Sequence, residues 1–229
     1  MEARLSIIIP TLNEEAEIEM RLAALAPLRR EGVQLIVADG GSSDATVARA
    51  AQWVDLIIDA PRGRAAQMNA GALHATSTNI LFLHADTVLP DNAIALIDNG
   101  LQAHAWGRFD ITLTGTHPML RVIATMMNWR SRVSGIATGD QAIFVRRNVF
   151  DQLGGFAPIA LMEDIELCSR LKKISAPACL KQRVISSGRR WQRHGVWRTI
   201  WLMWRLRLAY FFGADPRALA LRYGYTPPT

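Results

Sequence analysis

The strongest constraint on how this chain can fold is a rhythm in its first hundred residues. Short apolar runs rich in β-branched residues recur at Leu5–Ile9, Val33–Ala38, Val54–Asp59 and Ile80–Leu83. Segments of helical character lie between them. Asn13–Ala26 carries acids in its first turns and has Pro27 after its end, and Ser42 or Ser43 can cap a helix through Ala50. Gly63–Ala75 is rich in small residues, and Asp91–Gly100 reads as a further helix. Strands alternating with helices predict an α/β fold, a mostly parallel sheet flanked by helices on both faces. At 229 residues, half of them hydrophobic, the chain is long enough for one such domain with a sizeable core.

The rhythm breaks near residue 105. Trp106–Leu113 reads as a strand that can run antiparallel, Pro118–Val133 as a Met- and Trp-rich helix, Ala142–Val145 as a short strand and Glu163–Lys173 as a helix. No linker rich in Gly, Pro or Ser divides this half from the first. It is expected to cover the end of the sheet and to shape a second pocket. The predicted organisation is a catalytic domain over residues 1–195 and a basic, Trp-rich helical tail over residues 196–229.

Charge is distributed unevenly. Residues 1–166 hold 13 Lys+Arg against 19 Asp+Glu, whereas residues 167–229 hold 13 Lys+Arg against the single acid Asp215. A positive tail suits a negative partner such as a diphosphate, an anionic lipid or a nucleic acid, or else forms a solvated basic face. Within it Trp197, Ile200, Trp201, Trp204, Leu208 and Phe211 fall on one helical stripe, with Arg198 and Arg205 expected on the opposite side. The segment is too short, and too interrupted by arginine, to span a bilayer. It can lie in a membrane interface, or pack its stripe on the catalytic domain or on a second subunit of a homodimer. Two cysteines, Cys168 and Cys179, and an N-terminus without a secretory apolar region point to a cytoplasmic, disulfide-free protein, with peripheral contact at the inner membrane face as the variant the tail allows.

Polar clusters follow the strands. Pro10-Thr11-Leu12-Asn13-Glu14-Glu15 comes after the first, Asp39-Gly40-Gly41-Ser42-Ser43-Asp44 after the second and His84-Ala85-Asp86 after the fourth. Ligands of open parallel sheets bind outside the carboxyl ends of the strands. Any one cluster can be helix capping, but three at one edge suggest a site. Asp39 can accept hydrogen bonds from a ribose or a base, or make an Asx-turn. Asp86 ends a buried strand, where coordination of Mg²⁺ or Mn²⁺ together with diphosphate oxygens would offset the cost of its charge. His84, two residues earlier on the same side, assists there or only fills space. Glu163-Asp164 opens a helix, where acids suit the dipole, and a carboxylate there can also take a proton from an attacking hydroxyl. Arg64 and Asn69, in the small-residue helix, are candidate nucleotide contacts. No P-loop, dinucleotide glycine motif, zinc cluster or Gly-x-Ser-x-Gly elbow is present.

In this order the pieces resemble the family 2 glycosyltransferases, over roughly residues 4–195. Ser6–Glu15 is similar to that family's first strand and nucleotide loop, which implies donor contacts from Pro10, Thr11, Asn13 and Glu14. Asp39–Thr46 is similar to its second signature. His84-Ala85-Asp86 stands at its Asp-x-Asp metal motif, with His84 in place of the first acid. Glu163-Asp164 matches its Glu-Asp motif, whose Asp the family uses as catalytic base. Arg190-Trp191 matches the end of a Gln-x-x-Arg-Trp motif whose Gln is Ser187 here. Gly139-Asp140-Gln141 resembles a segment of a compact bacterial subgroup, which adds Asp140.

The resemblance implies the GT-A (Rossmann-like) fold and inverting, metal-dependent transfer from a nucleotide-diphosphate sugar to an acceptor hydroxyl, with lipid-linked acceptors among the candidates. Asp164 is then the base, Asp86 and His84 the ligands of Mg²⁺ or Mn²⁺, and Glu163, Arg190 and Trp191 substrate contacts. The alternatives are a sugar-1-phosphate nucleotidyltransferase, which would carry a basic Gly-rich loop where Pro10–Glu15 is acidic, and a non-catalytic protein that binds nucleic acid or an anionic membrane. Carboxylates at strand ends would repel a nucleic acid, so no nucleic-acid partner is expected.

Overall fold

The structure, a computed structural model, describes residues 3–226, so residues 1–2 and 227–229 of the predicted domain and tail lie outside it. Strands β1 (Leu5–Thr11), β2 (Val33–Asp39), β3 (Leu56–Asp59) and β4 (Asn79–Phe82) alternate with helices α1 (Ile18–Arg29), α2 (Thr46–Ala50), α3 (Arg64–Leu73) and α4 (Ala93–Ala103). There follow β5 (Trp106–Thr114), α5 (Met119–Ser134), a 3-10 turn at Gly139–Gln141, β6 (Phe144–Arg146), α6 (Arg147–Gln152) and α7 (Glu163–Leu171). The chain continues through β7 (Ala178–Ser187), α8 (Arg189–His194), α9 (Val196–Phe211) and α10 (Pro216–Tyr223).

The seven strands form one sheet in the order β3-β2-β1-β4-β6-β5-β7. β1 pairs in parallel with β2 and β4, and β2 with β3. β6 pairs antiparallel with both β4 and β5, while β5 pairs in parallel with β7. The reversed strand is therefore β6, and Trp106–Thr114, which the sequence allowed to run antiparallel, points the same way as the first four. β7 has no counterpart among the expected strands. Its middle, Lys181-Gln182-Arg183, is exposed and charged because it lies at the sheet edge, so it lacks the apolar run of a buried strand.

Side chains on successive strand residues point to opposite faces. Ile7, Ile9, Leu35 and Val37 enter one core, with Leu22 of α1, Ile94 and Ile97 of α4 and Ile123 of α5. Ile8 and Ile36 enter the other, with Met68 of α3, Phe150 of α6 and Leu167 of α7. Full burial of one such aliphatic side chain is worth about 1.5–3 kcal/mol, which fixes the register of the central strands. A third cluster joins Leu206 of α9 and Leu219 of α10 to Met162, just before α7.

Two helix starts differ from expectation. α1 begins at Ile18 rather than Asn13, because Asn13 is left-handed (φ 54°) and its segment is tied to the loop after β2. Pro27 falls inside the last turn of α1 instead of beyond it. α2 begins at Thr46, where Asp44 Oδ1 rather than Ser42 or Ser43 accepts the Thr46 N–H at 2.9 Å.

The tryptophan stripe of α9 faces outward. Trp197, Trp201, Trp204, Leu208 and Phe211 are exposed, and Ile200 alone of the six is partly covered. The buried side is made by Val196, Thr199 and Leu206, so packing of the stripe on the catalytic domain is excluded. Arg198 and Arg205 flank the stripe in solvent rather than opposing it. Among the described residues no helix is long and apolar enough to cross a membrane.

Candidate active site

β1 and β4 lie side by side at the centre of the sheet, and the chain leaves their carboxyl ends in different directions, the arrangement that opens a crevice in α/β folds. A cavity of about 260 Å³ occupies this position. Pro10, Thr11, Leu12 and Glu14 line it from the end of β1, and His84, Ala85 and Asp86 from the end of β4. Arg64 and Gln67 of α3, Asp140 of the 3-10 turn, Ala160, Leu161 and Glu163 before and in α7, and Tyr223 and Tyr225 from the tail complete it. Gln67 braces the floor, its buried amide donating to Thr11 O at 2.7 Å and to Ala38 O at 2.8 Å.

One end of the cavity is an acidic pair with an arginine on it. Arg189 lies 3.5 Å from Glu14, 3.1 Å from Glu17 and 3.9 Å from Asp86. Burial, opposed by Arg189 but assisted by the charge of Asp86, raises the Glu14 carboxyl above its ordinary range. Arg189 is delivered by β7, because Val88, two residues past Asp86, exchanges two backbone hydrogen bonds with Ile185 at 2.8 and 3.0 Å.

The other end is built around α7. Met162 adopts φ 71° and turns the chain so that the buried Glu163 faces the cavity. Burial, then the charge of Asp164, push the Glu163 carboxyl up to about 7. Asp164 Oδ2 accepts the Gly139 N–H at 3.0 Å. His84 Nδ1 lies 3.0 Å from Asp140 Oδ1. Burial raises the Asp140 carboxyl, but the hydrogen bond and charge of His84, with Arg64 and Arg207, hold it below its usual range. Burial likewise opposes the Arg64 charge, and Tyr223, Glu163, Asp140 and Asp164 together outweigh it. Burial holds the Arg207 guanidinium of α9 below its ordinary range, and the charges of Asp164 and Asp140 oppose that shift.

The cavity thus gathers Pro10, Thr11, Glu14, Arg64, His84, Asp86, Asp140 and Glu163 of the residues expected at the site. The others stand elsewhere. Asp39 is buried, and its carboxylate accepts from Thr11 Oγ1, Gly41 N, Ser42 N and Ser42 Oγ, so it organises the loop after β2 by the Asx-turn chemistry that was the alternative to ribose binding. Asn13 Oδ1 accepts Ser43 N–H at 2.9 Å in the same loop. Asn69 exchanges two 2.8 Å hydrogen bonds with the Phe156 backbone and so clamps the Gly154–Phe156 loop. Arg190 donates to Tyr223 O at 2.6 Å and stacks 3.5 Å over the Tyr223 ring, acting on the site through the tail. Trp191 is partly buried against the first core and does not line this cavity. Asp164, half-buried beside Glu163, accepts the Gly139 N–H and is not among the residues that line this cavity.

Gln67, Arg207, Tyr223 and Tyr225 are residues at or near the site that strand-end reasoning does not find. For the last three the available signal was the basic, aromatic composition of the chain after residue 187.

Among the described residues no three His, Cys, Asp or Glu side chains are grouped to hold a metal ion by themselves. His84 is a poor ligand in this geometry, since its Nδ1 is turned to Asp140 and a Cβ on Gly139 would overlap its Nε2. Asp86 fits a different type of site. Mg²⁺ and Mn²⁺ commonly take one or two carboxylates and complete their shells with water and substrate phosphates. Asp86, beside Glu14 in an open cavity, meets that requirement.

The fold has known counterparts. Mannosyltransferase PcManGT from Pyrobaculum calidifontis, solved with GDP-Man and Mn²⁺, superposes with a TM-score of 0.63 at 20% identity, covering 100% of this chain and 67% of that one. Staphylococcus aureus TarS 1–349 with UDP-GlcNAc gives 0.63 at 18% identity over 80% of this chain and 58% of that one. Glucosyl-3-phosphoglycerate synthase from Mycobacterium tuberculosis, with Mn²⁺, UDP and glucosyl-3-phosphoglycerate, gives 0.57 at 18% identity over 80% and 70%. The chain therefore spans less than two thirds of the TarS fragment. No curated protein sequence matches it. The family model described as Glycosyl transferase family 2 matches residues 6–157, the stretch that holds β1 to β6, the strand-end clusters and the Gly139–Gln141 turn, and by that match the chain belongs to glycosyl transferase family 2.

Proposed function

We propose that this protein transfers a glycosyl group from a nucleotide-diphosphate sugar to an acceptor hydroxyl with inversion, aided by Mg²⁺ or Mn²⁺. One observation carries the reading: a single cavity at the carboxyl ends of β1 and β4 is lined at once by Asp86, Glu14 and Glu163. The ligands named for the structural counterparts, GDP-Man with Mn²⁺ and UDP with Mn²⁺, support it.

Asp86 would hold the cation, which when bound neutralises charge on the departing diphosphate. Pro10–Leu12 and Arg64 bind and orient the donor. Arg189 is within reach of the same phosphates once they draw it from Glu14 and Asp86. The acceptor oxygen attacks the anomeric carbon from the face opposite the leaving group. The bond from that carbon to the β-phosphate oxygen breaks, and its electron pair leaves with the nucleoside diphosphate. Asp164 takes the acceptor proton, and Glu163 positions the hydroxyl from the cavity wall. Attack from the opposite face inverts the anomeric configuration.

Asp164→Asn should lower transfer about 10²–10⁴-fold while donor binding, read as a rise in Tm with nucleotide-sugar and Mn²⁺, is retained. Asp86→Asn should abolish the Mn²⁺-dependent part of that rise. Near-normal transfer by Asp164→Asn, or transfer untouched after complete metal removal by EDTA, overturns the reading.

A further inference from the structure

α9 has two apolar sides and only one of them is covered. Leu206 packs inward on Met162 and Leu219. On the outside, Trp197, Trp201 and Trp204 are 68%, 65% and 71% exposed, with Leu208, Phe211 and Phe212 beside them. A helix apolar all round is normally buried, so a face left open in this way marks a contact surface. α5 repeats the pattern: Val122, Met126, Trp129 and Val133 recur at helical spacing and are exposed, Trp129 by 60%. Val196 and Ile200 of α9 belong to the same apolar cluster as Leu120, Ile123 and Met127 of α5, so the two helices share one side of the sheet.

The surroundings of these faces are cationic. Residues 189–222 contain eight arginines and one acid, Asp215. Arg198 and Arg205 stand exposed along the edge of the stripe, the Arg205 guanidinium 5.9 Å from the Trp201 ring centroid. Tryptophan and phenylalanine on one side with arginine at the margin is the composition of a helix lying in a bilayer interface, where indole enters the headgroup layer and arginine meets phosphate. A second copy of the chain fits less well. A two-fold contact would set this cationic surface against itself, with Asp215 as the single carboxylate of the segment against eight arginines. Single-stranded nucleic acid would use the indoles for stacking but leave Leu208, Val122, Met126 and Val133 without a role.

We propose that the outward faces of α9 and α5 seat the protein on an anionic phospholipid bilayer, with Trp197, Trp201 and Trp204 in the headgroup layer and Arg198 and Arg205 on lipid phosphates. This docking stands independently of the glycosyl-transfer reading, since none of these side chains lines the cavity. The inward side of the same helix packs Leu206 on Met162, next to Glu163 of the cavity wall. The docked cavity would then lie about one helix diameter, roughly 10–12 Å, from the lipid surface.

The test is co-sedimentation of the full chain with sucrose-loaded vesicles of phosphatidylcholine, with and without phosphatidylglycerol, across a range of salt. Wild type should bind the phosphatidylglycerol vesicles, release from them as salt rises and show a blue-shifted tryptophan emission when bound. The double change Trp201→Ala, Trp204→Ala should weaken partition at least about tenfold. Arg198→Glu with Arg205→Glu should weaken it by a similar factor, roughly tenfold, and flatten the salt dependence. Both variants alter exposed positions and should keep the wild-type unfolding transition and the wild-type donor-induced Tm rise. Wild type that fails to sediment, or variants that sediment equally well, overturn the proposal. So does a lipid-free dimer that the tryptophan variant dissociates, or retention on single-stranded RNA that phosphatidylglycerol vesicles do not compete away.

Discussion

Two neighbouring carboxylates in α7 divide the work at the proposed site by environment alone. Glu163 is buried and faces the cavity, whereas Asp164 rests on a backbone N–H. Burial, then the charge of Asp164, lift Glu163 from 4.5 to about 7. Between those two values the folded protein keeps a proton that the unfolded chain has released, so the folded state is favoured most at the acid end and loses stability as pH rises through about 7. In metal-free protein, Tm should therefore fall across this window, and Glu163→Gln should flatten the fall while leaving the rest of the profile in place. Thermal melts of the two proteins at matched ionic strength decide it; parallel profiles would show that Glu163 is ordinary. At this scale the sequence was legible for residue type and less so for direction. Asp86 and Glu163 stand where strand-end and helix-start reasoning puts them. Asp39 and Asn69 have the right chemistry and the right loop or helix, but their polar atoms are consumed by neighbours that no spacing rule reveals.

Elements carry their own constraint in the approach of α3 to β1. That helix is rich in small residues, and at one of them it meets the strand closely: a Cβ on Gly71 would overlap Cγ2 of the fully buried Ile8. Isoleucine is stiff at χ1 and lies in the central strand, so relief must come from moving α3, which also carries Arg64 and Gln67. Gly71→Ala should destabilise the fold by about 1–3 kcal/mol despite alanine's better helix propensity, measured by denaturant unfolding. A neutral or stabilising change would mean that the contact relaxes freely. The strand–helix alternation through β4 could be read because buried parallel strands are continuous apolar runs. β7 could not, because an edge strand with a charged centre looks like a loop. The tryptophan stripe of α9 could be read from helical spacing, yet periodicity cannot say which of two apolar faces is covered.

For the whole molecule, the charge split along the sequence becomes a spatial relation. The acidic first three quarters form six of the seven strands and the site's carboxylates, and the basic remainder wraps back as the edge strand β7 and helices α8, α9 and α10. It brings Arg189 to Asp86, and Tyr223 and Tyr225 to the cavity wall. Donor binding should accordingly slow amide exchange in α10, whose C-terminal Tyr223 lines the cavity and holds Arg190. Hydrogen–deuterium exchange with and without nucleotide-sugar and Mn²⁺ tests this; unchanged rates in Ala218–Tyr223 would separate the tail from the site.

Gln67 has a consequence of its own. One side-chain amide clasps the carbonyls of Thr11 and Ala38, and so ties the tips of two adjacent parallel strands where their own ladder ends. A crevice stapled in this manner has a fixed gauge. Width is set at its base by covalent reach rather than by what occupies it, so any tuning toward one ligand or another falls to the rim.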